Sequence, residues 1–324
     1  VVGEAECPTL QRSGYVTETT DEAWQALTSG LAASVLAGSM WVSHAAPASS
    51  AALSDALLDC DLRRRGVPLH AHLADATSAQ QSQSVPWTAV LAGEADDLDA
   101  VSLAAGRAVS DGAAMLKAKV RDPSQITDLV AALRAPGRVP VALDANGTLG
   151  PTDLAGIDDL ELEYLEQPLP PGISWPEMAG VCARHLTPMA LDESIVSLDS
   201  LADALRSGAM GCANVKPARI GGTLAAARAV KMCRNAGVPC FVGGMFELGT
   251  GRAAALAVAS LSGCGYPTDL GPSRRYFARD LTESLETDEG GQMVVPDTPG
   301  IGRTLIDDLV EQHLTDRVVI GAPW

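Results

Sequence analysis

LKAKV (116–120) opens a stretch of about a hundred residues whose spacing decides the fold. VALDAN (141–146), LEYLEQP (162–168), MALDES (189–194) and ANVKP (213–217) follow it, each an apolar strand-like run ending on a polar side chain. Lys119, Asp144, Glu166, Asp192 and Lys216 recur at intervals of 22–26 residues. An interval of that length accommodates one strand, one helix and two short connections. In a closed parallel barrel, side chains at the C-terminal ends of successive strands meet at one mouth. On an open doubly wound sheet they would diverge along the edge. The even spacing therefore predicts a barrel.

The alternation extends on both sides of that stretch. Strand-like segments are expected at 85–93, 113–120, 139–146, 159–168, 187–194, 211–217, 238–244 and 264–271. The helical patterns between them lie at 96–109, 123–134, 151–157, 175–184, 198–207, 223–237 and 250–263. Residues 85–272 are thus assigned to the barrel. Residues 1–84 precede it and read differently. VVGEAE looks like a strand already in progress, which implies that earlier strands come before Val1. Residues 8–18 read as a loop with Tyr15 as its one large side chain. Helices are expected over 20–35 and 49–66, the second with three arginines at its end and Gly66 as its cap. VPLHAHL (67–73) reads as a strand carrying His70 and His72. Two histidines with no third ligand nearby point to a structural place at a domain seam before they point to a metal. SAQQSQS (78–84) reads as the linker. The tail, 273–324, no longer alternates; it holds a helix-like DDLVEQHL and a strand-like RVVI, and is expected to fold back onto the N-terminal segment.

Composition limits the function. The chain has 324 residues, 47% of them hydrophobic, and a formal net charge of −17. Such a charge disfavours nucleic acid and anionic membranes as partners, and 4% aromatic content disfavours a base-stacking surface. One anionic small molecule remains compatible, because a metal and two lysines can make a single pocket positive. No apolar run reaches the length of a membrane helix, and a soluble, cytoplasmic protein is expected. The seven scattered cysteines include no C-x-x-C pair and read as small buried hydrophobes.

The chemistry follows from the five side chains. Three acids at consecutive strand ends suit a hard divalent cation with oxygen ligands, Mg²⁺ first and Mn²⁺ second. Each acid alone could be a helix cap or an ion-pair partner; three in succession, each ending an apolar strand before a turn, are harder to explain that way. Lys117 and Lys119 share a strand face by period-two alternation, here the barrel interior. Repulsion between them, with a metal close by, would lower the pKa of Lys119 and make it a base. Lys216 lies across the barrel from it. Asn146 ends the strand of Asp144. A carboxylate substrate held between two lysines suits removal of the proton next to the carboxylate. A Schiff-base aldolase barrel with Lys216 as imine former leaves the three acids without a role. A barrel retired to a binding function would have lost a ligand or a base, and none is missing.

As a set, K-x-K (117–119), D-A-N (144–146), E-Q-P (166–168), L-D-E-S-I (191–195) and N-V-K-P-A-R-I-G-G (214–222) resemble the enolase superfamily, in its muconate-lactonizing-enzyme subgroup. G-G-M-F-E-L-G-T-G-R (243–252) and S-R-R-Y-F-A-R-D (273–280) bring the likeness closest to the o-succinylbenzoate synthase and N-acylamino acid racemase family. The resemblance implies a modified TIM barrel, (β/α)7β, under an α+β capping domain built from the N-terminal segment and the C-terminal tail. It implies Asp144, Glu166 and Asp192 as Mg²⁺ ligands and Lys119 and Lys216 as the acid/base pair. Tyr15 would sit on a cap loop over the substrate, and Gly244 and Met245 would line the pocket. The activity implied first is o-succinylbenzoate synthesis in menaquinone formation, by dehydration of a cyclohexadiene carboxylate. N-acylamino acid racemisation is the alternative, with dipeptide epimerisation and muconate cycloisomerisation behind. A homo-oligomer, a dimer or larger, is also expected.

Overall fold

The computed structural model describes residues 1–11, 17–36, 46–91, 97–120 and 122–321. Among the described residues there are nine strands. β1 (Ser84–Val85) pairs antiparallel with β9 (Met293–Val294). β2 (Thr88–Leu91), β3 (Met115–Lys119), β4 (Val141–Asp144), β5 (Leu165–Glu166), β6 (Met189–Leu191), β7 (Cys212–Val215) and β8 (Cys240–Val242) form one parallel sheet in sequence order. The segment after the last long helix closes it. Cys264 pairs in parallel with Cys240 and Thr268 with Trp87, so 264–269 lies between β8 and β2. Thr88 N donates to Thr268 O at 2.7 Å and Asp269 N to Val242 O at 3.1 Å. This is the curled parallel barrel expected from the spacing, with the eighth position filled by single bridges instead of a full ladder.

Period-two alternation sorts the strand residues into two environments. Leu116, Ala118, Val141, Leu143, Leu165, Leu191, Ala213 and Val215 point outward into the large core beneath the helices. Met115, Ala142, Tyr164, Ala190, Cys212 and Phe241 point inward and pack together as a separate plug. Two residues further along each of these strands comes a polar group or a glycine: Lys117, Asp144, Glu166, Asp192, Asn214 and Gly243. The apolar plug is thus the floor on which the polar layer stands.

Several sequence expectations need correction. Residues 69–77 form a helix, not a strand. Leu69, His70, Leu73, Ala74 and Thr77 are its buried face, a helical period that outweighs the local H-x-H alternation. His70 is structural: it is 2% exposed, its Nδ1 lies 3.1 Å from Pro296 O, and its Nε2 lies 3.4 Å from Asp297 on the tail. No strand forms over 1–9 or over 317–320. The strand expected at 159–168 shortens to Leu165–Glu166, and 151–160 makes two 3₁₀ turns, not a helix. Tyr15 lies outside the described residues.

The N-terminal segment and the tail meet at one helix. Buried Asp59, on the helix Pro47–Arg65, accepts from Glu4 N at 2.8 Å and from Ile301 N at 2.7 Å. Arg63, one turn on, donates to Arg303 O at 2.8 Å. The same helix reaches the barrel through Asp55, which accepts from the backbone N and hydroxyl of Thr223 at the start of the helix Thr223–Ala236. Among the described residues no helix is long and apolar enough to cross a membrane.

Candidate active site

Lys119, at the end of β3, places its ammonium 3.3 Å from Asp144 Oδ2 on β4 and 2.5 Å from Asn146 Oδ1 in the turn that follows. The turn is folded back on itself. Asn146 has φ +43°, its backbone N donates to Asp144 Oδ1 at 3.0 Å, and its side-chain amide donates to Glu193 at 3.0 Å. A left-handed, non-glycine conformation of this kind is held only by such surrounding bonds.

Lys216, directly after β7, donates to Asp192 Oδ2 at 2.8 Å. Arg219 donates to Asp192 Oδ1 at 2.5 Å and to its backbone O at 2.9 Å. Burial would raise the Asp192 pKa, but Arg219 and then Lys216 outweigh it and hold the carboxyl well below the usual carboxylate range. Gln167, at φ +35°, steadies the next turn: its side-chain O accepts from Asp192 N and Ser194 N, and its amide donates to Ser194 Oγ.

Glu166 is buried between the two lysine stations. Lys117 reaches its Oε2 at 2.5 Å and Asn214 its Oε1 at 2.6 Å. Burial raises its pKa most; Lys117 opposes that, and Asp144 and Asp192 push it further, to about 8. Lys117 also bonds Asp269 Oδ2 at 2.7 Å and sits 4.9 Å over the Phe241 ring. Burial alone would lower the Lys117 pKa, yet Asp269 and Glu166 hold it well above the ordinary lysine value. Lys117 therefore stands as a cation locked to two carboxylates. The bare repulsion of Lys119 expected from K-x-K is largely cancelled at its source.

Lys117, Lys119, Asp144, Glu166, Lys216, Gly244 and Met245 line one cavity at the barrel mouth. Asp192 lies behind this wall, bonded to Lys216 and Arg219. Each of the three expected metal ligands faces a cation of the chain, and among the described residues no three His, Cys, Asp or Glu side chains converge as a metal cluster. The donor set still fits a hard divalent ion. The three are oxygen donors at the ends of consecutive strands, and Asp144 and Asp192 crowd Glu166 with like charge, which a cation would relieve.

Sequence reasoning missed Asp269, Asn214, Arg219 and Glu247. Asn214 was legible by period two, since it precedes Lys216 on the same face. Asp269 ends the last strand-like piece as the other acids end theirs. Arg219 lies in the short helix Pro217–Ile220 and Glu247 in the irregular turn after β8, where the strand period does not apply.

A parallel barrel with two lysines set at carboxylates across one mouth defines a class of enzymes that move protons at a carbon next to a carboxylate. The comparisons with known proteins identify the family within that class. The model of the family described as Enolase C-terminal domain-like matches residues 99–309, and the chain belongs to it. An N-succinylamino acid racemase of Amycolatopsis sp. is 36% identical over 278 residues, 84% of this chain and 73% of the relative. An o-succinylbenzoate synthase of Geobacillus stearothermophilus is 33% identical over 270 residues, 82% of this chain and 70% of the relative. A solved structure described as a probable mandelate racemase from Alicyclobacillus acidocaldarius matches with a TM-score of 0.85 at 32% identity, covering 97% of this chain and 87% of its own. The protein is an enzyme of the enolase superfamily, whose members generally use Mg²⁺.

Proposed function

We propose that the protein is an o-succinylbenzoate synthase acting in menaquinone biosynthesis, which dehydrates a cyclohexadiene carboxylate after removing the proton next to its carboxylate. The observation that carries this reading is the placement of Lys119 and Lys216 in one cavity with Asp144 and Glu166 between them. Asp144, Glu166 and Asp192 would hold Mg²⁺, or Mn²⁺ in its place, which when bound stabilises negative charge developing on the substrate carboxylate. Lys119 Nζ takes the α-proton. Asn146 and Asp144 hold that nitrogen at the substrate face by the bonds given above. In the syn elimination the same ammonium returns its proton to the departing hydroxyl. Lys216 stays protonated on the other side, oriented by Asp192, and sets a positive charge against the enolate. Lys117 stays charged, fixes Glu166, and takes no proton. Residues 1–84 and 273–324 form the cap over the barrel of 85–272, and Tyr15 belongs to the cap loop that closes on the substrate.

Racemisation of N-succinylamino acids is a second reading at the same site, and one observation favours it. Each lysine has its own carboxylate anchor, Lys119 at Asp144 and Lys216 at Asp192, which is what two bases acting on opposite faces require. Incubating the protein and Mg²⁺ with the cyclohexadiene substrate and, separately, with one enantiomer of an N-succinylamino acid tests both. Formation of the aromatic product supports the first reading. Its absence, with racemisation present, replaces the first by the second.

A further inference from the structure

Glu247 follows β8 in the loop that also carries Gly244 and Met245, and no step above uses it. Its side chain is 3% exposed and lines the same cavity as the lysines. Its Oε2 is buried and has no hydrogen-bond partner among the described residues. That oxygen lies beside Gly244: a methyl group built on Gly244 would come within 3.3 Å of it and within 3.3 Å of Leu270, and both residues line the cavity. The backbone of Glu247 is fixed independently, since Arg252 donates to its carbonyl at 2.9 Å while stacking 4.1 Å from the Tyr276 ring. The other buried acid of this wall, Asp269, has its charge met by Lys117. Glu247 has no ion-pair partner among the described residues.

A buried carboxylate oxygen with no donor gains most from one that arrives with the ligand. We infer that Glu247 is a specificity-determining residue that accepts a hydrogen bond from an N–H of the substrate, selecting carboxylates that carry an acylated α-nitrogen. This inference rests on the racemase reading above. The geometry suits it. β8 is the next strand after β7, which leads into Lys216, and Glu247 lines the same cavity as Lys119 and Lys216, so a donor on a substrate held between the lysines has this acceptor in the same pocket. Met245, Phe246, Leu270 and Tyr276 line the cavity with Glu247, and its charged neighbours there are engaged elsewhere, Asp269 with Lys117 and Arg252 with the carbonyls of Gly271 and Glu247.

The test compares an N-succinylamino acid with its ester analogue, in which oxygen replaces the N–H and little else changes. Exchange of the α-proton in D₂O, followed by NMR, reports proton removal for both. The wild type is expected to favour the amide over the ester in kcat/KM, and Glu247→Leu to reduce that preference on the order of 100-fold, mainly through the KM of the amide. Glu247→Gln keeps an acceptor oxygen and should recover part of the preference; it also decides the matter if the leucine variant does not fold. An amide-to-ester ratio unchanged in the variants overturns the inference and leaves the racemase reading standing. A wild type that forms the aromatic product but exchanges neither analogue overturns both.

Discussion

Lys119 and Lys216 hold equivalent stations but differ in how they are held. Lys119 is anchored by an acid and an amide and its side chain is 21% exposed; Lys216 sits on an acid shared with Arg219 and is 6% exposed. Lys119→Ala and Lys216→Ala should each lower product formation by at least about 10³-fold, the scale of a lost general acid or base. Mg²⁺ should still raise the melting temperature of both variants, because neither lysine is a ligand. Near-wild-type turnover in either variant would sink the two-lysine scheme. Gly243 gives a sharper test of the layer described above. A Cβ there would lie 2.2 Å from Asn214 Oδ1, and the Asn214 amide is buried and committed to Glu166. Gly243→Ala should therefore destabilise the protein by about 1–3 kcal/mol and reduce turnover, as Asn214 is pushed off Glu166. Urea unfolding and steady-state kinetics check the two effects. The five principal side chains were legible because each ends a strand, where period two and one-per-unit spacing both apply. Glu247 and Arg219 were not, because what places them is tertiary: a carbonyl clamp from Arg252 in one case, a carboxylate from the neighbouring strand end in the other.

Among the secondary elements, acids from one element cap helices of another. Asp55 caps Thr223–Ala236, Asp280 accepts from Gly249 N at 2.8 Å at the start of Gly249–Ala259, and Glu18 accepts from Ala48 N and Ser49 N in the first turn of Pro47–Arg65. None of these caps is local in sequence, so none could be read from the S/T-x-x-E pattern that does announce the boxes at Thr19–Glu22 and Ser174–Glu177. Asp55→Ala should cost about 1–2 kcal/mol in urea unfolding, the range of a lost N-cap, while Asp55→Asn should recover much of it. Equal losses in both would mean that charge, not the hydrogen bonds to Thr223, makes the contact. The same non-locality explains the misread 67–77 segment. Pro68 and the alternating histidines suggested a strand, but the segment packs as a helix against Thr223–Ala236 and Gly249–Ala259, with His70 turned to the tail at Pro296. The closing segment 264–269 was legible as the eighth strand, though its pairing by isolated bridges was not.

For the whole molecule, the contact between the N-terminal segment and the barrel depends on pH through Glu6. Its carboxylate accepts from Leu248 N at 2.9 Å and Gly251 N at 3.1 Å, reaching the loop and helix start that carry Glu247. Burial raises its pKa to about 7 from an ordinary 4.5, with Glu247 and Asp280 adding to the rise and the two backbone bonds opposing it. Between pH 4.5 and 7 the unfolded chain has lost this proton and the folded chain keeps it. The folded state thus binds more protons, and stability falls as pH rises through that window. The contribution is complete below pH 4.5 and gone above about 7, and amounts to roughly 3 kcal/mol at 1.36 kcal/mol per pKa unit. Other raised acids, Asp55 among them at about 6, act in the same direction, so the wild-type slope alone does not isolate Glu6. The difference between wild type and Glu6→Gln does. Glutamine keeps an acceptor for one of the two backbone N–H groups and has no proton to lose, so the variant starts from a fixed loss and should then gain on the wild type from pH 5 to about pH 7 in urea unfolding, levelling off above that. Parallel profiles would mean that Glu6 is ionised in the folded protein at pH 5, stabilised by those two N–H groups against its burial. Because Glu6 and Glu247 share this seam, the variant should also change the amide-to-ester preference if the N-terminal segment helps to set the pose of Glu247.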